Sequence, residues 1–224
     1  MWRLIGFTDI LIVILLLLIG ALLMHWQNMK SAEAIATLVG ALFGGAALLL
    51  GNWINRWNER RKVCKDLEER VSKLKAMIAA ELVNVACGLI DAKEMMDAAV
   101  RTAKAGGNLP DNADLTLYTP RLMPFTDALG SDLLILEQRG IDVLATLRSN
   151  LAITRISMDE VNSGRRQFGY LTATQIEGVI RHDMKILSEA FEHFAPERKL
   201  ALMGKDPQHA TTILRRLSQP AGDS

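Results

Sequence analysis

The side chains best suited to catalysis are few in this sequence and lie far apart. Four histidines are scattered along the chain: His25, His182, His193 and His209. No two of them have the spacing of a metal-binding pair, and neither a nucleophile elbow nor a phosphate-binding loop occurs. Cys64 and Cys87 are predicted on one helix about six turns apart, too far for a disulfide. We therefore expect no enzymatic activity, no cofactor and no metal site.

Two loops have the composition of binding segments. The first, "NSGRRQFGY" at 162–170, carries two arginines and two aromatic residues: Arg165, Arg166, Phe168 and Tyr170. Guanidinium and aromatic groups together are typical of single-stranded nucleic-acid contacts, although a short basic turn is more often solvated surface. The second, "LYTPRLMPF" at 117–125, is apolar and contains two prolines. It suits either a contact with a protein partner or simple capping of the core.

The chain divides into two regions of different composition. Residues 1–55 carry only Arg3, Asp9, Lys30 and Glu33 as charged groups, whereas the rest resembles ordinary helical protein. Over the whole chain 26 lysines and arginines balance 25 aspartates and glutamates, so no global basic field indicates wholesale nucleic-acid binding. The region after residue 55 is long enough to bury a core of its own.

Residues 1–55 are predicted to form a transmembrane hairpin, with spans at about 4–26 and 33–54. Each apolar run approaches the roughly 20 residues that cross a bilayer. We favour two retained spans over a cleaved signal peptide, because no convincing cleavage site precedes the second run. Basic residues follow the second span, which predicts a bacterial inner-membrane location with both termini in the cytoplasm.

Small residues form one stripe along the second predicted span. They recur at steps of three and four: Thr37, Gly40, Gly44, Ala47 and Gly51. Such a stripe lets two helix backbones approach closely. It predicts either packing against the first span of the same chain or a seam between protomers of a homo-oligomer.

Charged groups flank the predicted spans. Five cations follow the second span and are expected to lie against anionic lipid headgroups: Arg56, Arg60, Arg61, Lys62 and Lys65. Asp9 precedes the first apolar run, where it reads most simply as a helix cap. Asp9 is also the only acidic candidate for the mouth of a pore, if the hairpin forms one.

The remaining sequence predicts an all-α fold, because period-two alternation is nowhere sustained. A connector helix is expected at 56–105, continuous with the second span, and a helical domain at 106–218 before a disordered tail at 219–224. A short helix is expected to end at Gly140, and Thr172 or Thr174 to cap a later helix. Glu177 and Arg181, four residues apart, are expected to form a solvated pair on a helix face.

In layout, with two N-terminal spans, a basic cluster and a helical remainder, the chain resembles two-span bacterial anti-phage effectors, including retron-associated membrane effectors. The resemblance implies a toxin that a partner holds silent and that, on release, oligomerises and permeabilises the inner membrane. The partners would be the lipid bilayer and a cytosolic protein or ribonucleoprotein, for a retron a reverse transcriptase and its RNA–DNA product. The alternative is a non-toxic adaptor that recruits a cytosolic partner to the inner membrane.

Overall fold

The computed structural model describes residues 12, 14–22, 32–110, 113–202 and 206–219. The structure is mostly helical, as the sequence predicts. It consists of two compact units, an N-terminal unit at Met1–Glu69 and a C-terminal unit at Arg70–Ser224. Helix α1 spans Ala32–Lys104, and its residues belong to both units.

The transmembrane hairpin is contradicted by the structure. In the part of the chain that is described, no helix is long and apolar enough to cross a membrane. The predicted hairpin with spans at 4–26 and 33–54 and the inner-membrane location are therefore wrong. The lipid bilayer as a partner stays a prediction. Asp9, most of the tail at 219–224 and parts of the first predicted span lie outside the described residues.

Helix α1 has the extent that its sequence predicts, from the second apolar run to the glycine-rich loop. Its 73 residues contain no proline, so nothing interrupts the backbone hydrogen bonds. The helix ends where Gly106 takes a φ of 79°, in the left-handed region that favours glycine. The amide of Gly106 donates to the carbonyl of Ala103 at 3.1 Å, which closes the last turn.

The small-residue stripe of α1 is exposed in the N-terminal unit. Hypothetical Cβ atoms on Gly40, Gly44 and Gly51 would meet no heavy atom within 4 Å. The described packing within this unit instead involves Phe43, whose ring lies 3.8 Å from a hypothetical Cβ on Gly20. Val39 and Ala46 are buried, whereas Thr37 and Ala47 are exposed. A seam between protomers, formed by Thr37, Gly40, Gly44, Ala47 and Gly51, stays a prediction.

The basic cluster predicted to lie against lipid headgroups extends along an exposed stretch of α1. All five of its side chains are exposed: Arg56, Arg60, Arg61, Lys62 and Lys65. The guanidinium of Arg61 lies 3.8 Å from the ring centre of Trp57, a cation–π contact. Trp57 stacks in turn on Trp53, with ring centres 6.0 Å apart. These aromatic and basic groups contact each other along the helix, one turn apart.

The C-terminal unit packs its helices around one core. After α1 come a 3₁₀ turn at Thr116–Tyr118, α2 at Pro124–Leu129, a 3₁₀ segment at Gly130–Ile135, α3 at Gln138–Asn162, α4 at Tyr170–Phe194, β1 at Lys199–Leu200, β2 at Gln208–His209 and α5 at Ala210–Leu217. Strands β1 and β2 pair antiparallel, with Lys199 opposite His209. The predicted apolar faces of α3 and α4 are buried, for example Leu147 and Ile180 at 0% exposure.

Two local expectations are wrong. Gly140 ends no helix but lies in the first turn of α3, where it lets α3 approach His193 and Phe194 of α4. Neither Thr172 nor Thr174 caps α4, because that helix begins after Gly169. The hydroxyl of Thr172 donates to the carbonyl of Gln167, and that of Thr174 to the carbonyl of Tyr170.

Candidate partner-binding surface

Four side chains of the C-terminal unit form a surface that we call the Arg121–Arg155 surface: Leu117, Arg121, Phe125 and Arg155. Two cavities, of about 420 and 490 Å³, are both lined by Arg121 and Arg155. Phe125 lines the first cavity and Leu117 the second. The surface therefore combines guanidinium groups with apolar side chains around two hollows.

One end of the loop that carries this surface is held by a buried carboxylate. Glu81 on α1 is 4% exposed, and its oxygens accept hydrogen bonds from the backbone N–H of Phe125 at 2.8 Å and of Thr126 at 3.0 Å. The hydroxyl of Thr126 donates a third, at 2.6 Å. Helix α2 has no side-chain cap of its own, so Glu81 supplies from α1 the acceptor that helix N-termini require.

The other end of the loop is fixed by Leu115. Its backbone N–H donates to the side-chain oxygen of Asn162 at 2.6 Å, and its side chain is 2% exposed in the core. Asp114, one residue earlier, accepts hydrogen bonds from the hydroxyl and the backbone N–H of Thr116, which lower the pKa of that carboxyl. Met123 is fully buried and packs the middle of the loop against the core.

Two large apolar side chains of this anchored loop nevertheless face solvent. Leu117 is 90% exposed and Phe125 is 59% exposed. An exposed leucine alone is unremarkable, but here the backbone on both sides is fixed by buried hydrogen bonds and core side chains. A partner that contacts these side chains would pay little for ordering the loop, because the loop is already ordered.

The two arginines of the surface retain most of their capacity to bind anions. Within the described part of the chain Arg121 makes no ion pair. Arg155 has Asp159 as its partner, with 3.7 Å between Nε and Oδ2, and both side chains are about half exposed. A pair of that kind contributes little stability, so a carboxylate of a partner could compete for Arg155. Arginine in turn binds carboxylates with two parallel hydrogen bonds.

The predicted binding loop at 162–170 is divided between core and surface. Phe168 is 4% exposed and packs in the core, so its ring is not available for stacking on a base. Arg165 donates through Nε to the hydroxyl of Ser163, and Arg166 donates to the side-chain oxygen of Gln175. Tyr170, at the start of α4, is 42% exposed. Arg166 therefore contacts α4 through Gln175. The four predicted residues, Arg165, Arg166, Phe168 and Tyr170, do not form one contact surface, because Phe168 is buried.

The described residues contain no cluster typical of a metal centre. No group of three or more histidine, cysteine, aspartate or glutamate side chains is placed to hold an ion within the part of the chain that the structure covers. Cys64 and Cys87 are both exposed and unbridged. The prediction of no enzymatic activity and no cofactor stays a prediction.

Sequence reasoning identified the loop at 117–125 but missed Arg155. Arg155 lies 34 positions further along the chain, in the middle of α3, and reaches the cavities only because α3 packs beside the loop. An arginine on a helix face does not indicate, from the sequence alone, which distant loop its side chain will reach. The sequence also did not predict the role of Glu81, which holds the loop, because its hydrogen-bond partners are 44 and 45 residues away.

Comparison with known proteins gives no match: no family model, no curated protein and no solved structure is similar to this chain.

Proposed function

We propose that the chain is a partner-binding protein whose C-terminal unit docks an acidic, apolar segment of another protein on the Arg121–Arg155 surface. The effector and the adaptor predicted from the sequence share one step that needs no membrane, namely the binding of a partner by the helical region. The transmembrane hairpin and the inner-membrane location are contradicted, so the proposal retains the shared step alone.

The observation that carries the proposal is the exposure of Leu117 in a fixed loop. Its side chain is 90% exposed, although the loop around it is anchored by Glu81, Leu115 and Met123. Aromatic and arginine side chains dominate the binding energy of protein interfaces, and Phe125, Arg121 and Arg155 supply both types here. Asp159 offsets part of the positive charge, which favours a peptide with few carboxylates over a nucleic-acid backbone.

Site-specific photocrosslinking in cells that express the full chain tests the proposal. A photoreactive amino acid replaces Leu117 in one variant and Leu134 in a control variant. Leu134 is a matched control because it also lies in a 3₁₀ segment, is 76% exposed and lines neither cavity. We expect a discrete protein adduct at position 117 alone, which disappears when Arg121→Glu and Arg155→Glu are introduced together.

Three outcomes would contradict the proposal. An adduct of equal yield at position 134 would show non-specific contact. An adduct at 117 that survives the double charge reversal would remove the role of Arg121 and Arg155. An adduct that nuclease digests and protease leaves intact would replace the protein partner by a nucleic acid. Circular dichroism of the purified variants checks that each keeps its helical content.

A further inference from the structure

A third cavity lies between α3 and α4, apart from the Arg121–Arg155 surface. Its volume is about 560 Å³, within the range of small-molecule sites. Ile153 of α3 and Val179 of α4 line its apolar walls. Ile153 is 52% exposed, so the cavity is open to solvent at that residue. We call it the α3–α4 groove.

The groove contains a glycine that packing does not require. Gly178 lies in the interior of α4, where glycine destabilises a helix by about 1 kcal/mol relative to alanine. A Cβ atom at this position would meet nothing closer than an Nη atom of Arg181 at 4.0 Å, an ordinary contact. The fold therefore tolerates a side chain here, and its absence leaves room in the groove.

One permanently charged side chain, Arg166 of the loop at 163–169, is among the described residues that line the groove. His182 also lines it, about two helical turns after Gln175 on α4. The guanidinium of Arg166 has the carboxylate of Glu160 only at 4.0 Å, and Gln175, its other partner, is neutral. No aspartate or glutamate is among the described residues that line the groove. An anionic group is therefore favoured beside Arg166.

The length of the groove limits the size of its ligand. Asn150 and Ser157 of α3 both line it and are seven residues apart, which corresponds to about 10 Å along a helix. A ligand that fills it must place an anionic group at Arg166 and an apolar body of about that length along Ile153 and Val179.

We propose that the α3–α4 groove binds a small carboxylic acid with an unbranched apolar chain. The carboxylate accepts hydrogen bonds from Arg166, and the chain lies across Gly178 between Ile153 and Val179. A charge-assisted hydrogen bond and burial of apolar surface both favour this arrangement.

Calorimetric titration of the full chain with octanoate tests the inference, with 1-octanol as the uncharged probe. We expect saturable binding of one octanoate and at least about tenfold weaker binding of 1-octanol. Arg166→Gln should weaken octanoate binding by about tenfold or more, because a hydrogen bond to a charged group is lost. Gly178→Leu should abolish binding by filling the groove.

Two further variants keep the test decisive. Gly88→Leu is the matched control, because Gly88 is also a helix-interior glycine whose Cβ would meet open space, and it should bind octanoate as the wild type does. Ile153→Glu places a carboxylate in the groove at a half-exposed position and should weaken binding even if Gly178→Leu fails to fold. Equal affinity for octanoate and 1-octanol, unchanged binding in Ile153→Glu, or no saturable binding would overturn the inference.

Discussion

The hydroxyl of Thr154 on α3 donates a hydrogen bond of 2.5 Å to Oδ2 of Asp183 on α4, and both residues are completely buried. The second carboxylate oxygen, Oδ1, has no hydrogen-bond partner among the described residues. Burial disfavours the ionised form more than the Thr154 hydrogen bond favours it, which raises the pKa of Asp183 to about 7. Helices α3 and α4 therefore enclose a carboxyl group that stays protonated in mildly acidic solution.

Stability should fall as the pH rises from about 4 to about 7. In that window the unfolded chain has an ionised Asp183, whereas the folded chain keeps its proton, so the folded state binds more protons. The loss can reach about 4 kcal/mol at most, from roughly three pKa units at 1.36 kcal/mol each. Below pH 4 the carboxyl is protonated in both states and its burial imposes no such penalty.

Asp183→Asn should remove this pH dependence. The amide is neutral at every pH and its oxygen can still accept the hydrogen bond from Thr154, so the variant should exceed the wild type in stability at pH 8. Urea unfolding at pH 5 and pH 8 measures the difference. Asp91→Asn, at an exposed site on α1, is the control and should leave the pH dependence unchanged. A wild type whose stability stays constant between pH 5 and pH 8 would contradict the prediction.

Glu81→Gln should loosen the loop that carries the Arg121–Arg155 surface. One carboxylate now accepts three hydrogen bonds, from two backbone N–H groups and the Thr126 hydroxyl, and an amide offers a single oxygen. We expect a loss of about 1–3 kcal/mol in unfolding free energy. Hydrogen exchange at the amides of Phe125 and Thr126 should also accelerate.

Hydrogen exchange followed by mass spectrometry over 115–129 measures the local effect. Glu94→Gln, at an exposed position on the same helix, is the control and should change neither stability nor exchange. Unchanged exchange at Phe125 and Thr126 in Glu81→Gln would show that Leu115 and Met123 hold the loop without the carboxylate.

The helices of the C-terminal unit were predictable because their signal is local. Leu147 and Leu151 on α3, like Ile176 and Ile180 on α4, repeat at helical spacing, and all four are buried. The same reasoning failed wherever a residue acts across the fold. Gly140 reads as a helix stop from its neighbours alone, yet its role depends on His193, 53 positions away.

Hydropathy alone also misled the prediction for the N-terminal unit. The apolar run before Asn52 predicted a membrane span, and no helix among the described residues meets the requirements for one. For the candidate surface, the composition of the loop at 117–125 suggested a protein contact, but the arginine from α3 and the anchoring glutamate from α1 enter only through packing. Composition can therefore indicate a binding segment without revealing which distant residues complete it.

Alanine at two glycines should have opposite effects. A Cβ on Gly140 would lie 2.5 Å from Nε2 of His193 and 2.9 Å from Cζ of Phe194, so these rings or the two helices would have to shift. We expect Gly140→Ala to lose about 1–3 kcal/mol of stability. Gly178→Ala meets only an ordinary contact and should gain up to about 1 kcal/mol from helix propensity.

Thermal and urea unfolding of both variants measure these effects, and each variant serves as the control for the other. The comparison separates close packing from helix propensity, because both substitutions add the same methyl group to a helical glycine. Stabilisation by Gly140→Ala would contradict the close approach of α3 to His193.

Lys93 on α1 should prove essential for stability, because it is a buried cation with two carboxylate partners. Its side chain is 5% exposed, and Nζ lies 2.7 Å from Asp97 and 3.1 Å from Glu177 of α4. Glu177 also pairs with Arg181 at 2.7 Å and is only 12% exposed, so that pair is not the solvated one that the sequence predicts. Lys93→Met should cost about 2–4 kcal/mol, toward the low end for a broken buried pair, because Glu177 retains Arg181.

The double variant Lys93→Met/Glu177→Gln separates attraction from desolvation. Replacing Glu177 removes a carboxylate that Lys93→Met leaves partly uncompensated, so the double variant should be less destabilised than the sum of the two single variants. Urea unfolding of the four proteins in this cycle gives the interaction energy directly. Strict additivity would show that Lys93 and Glu177 do not interact, and that the link between α1 and α4 depends on apolar packing alone.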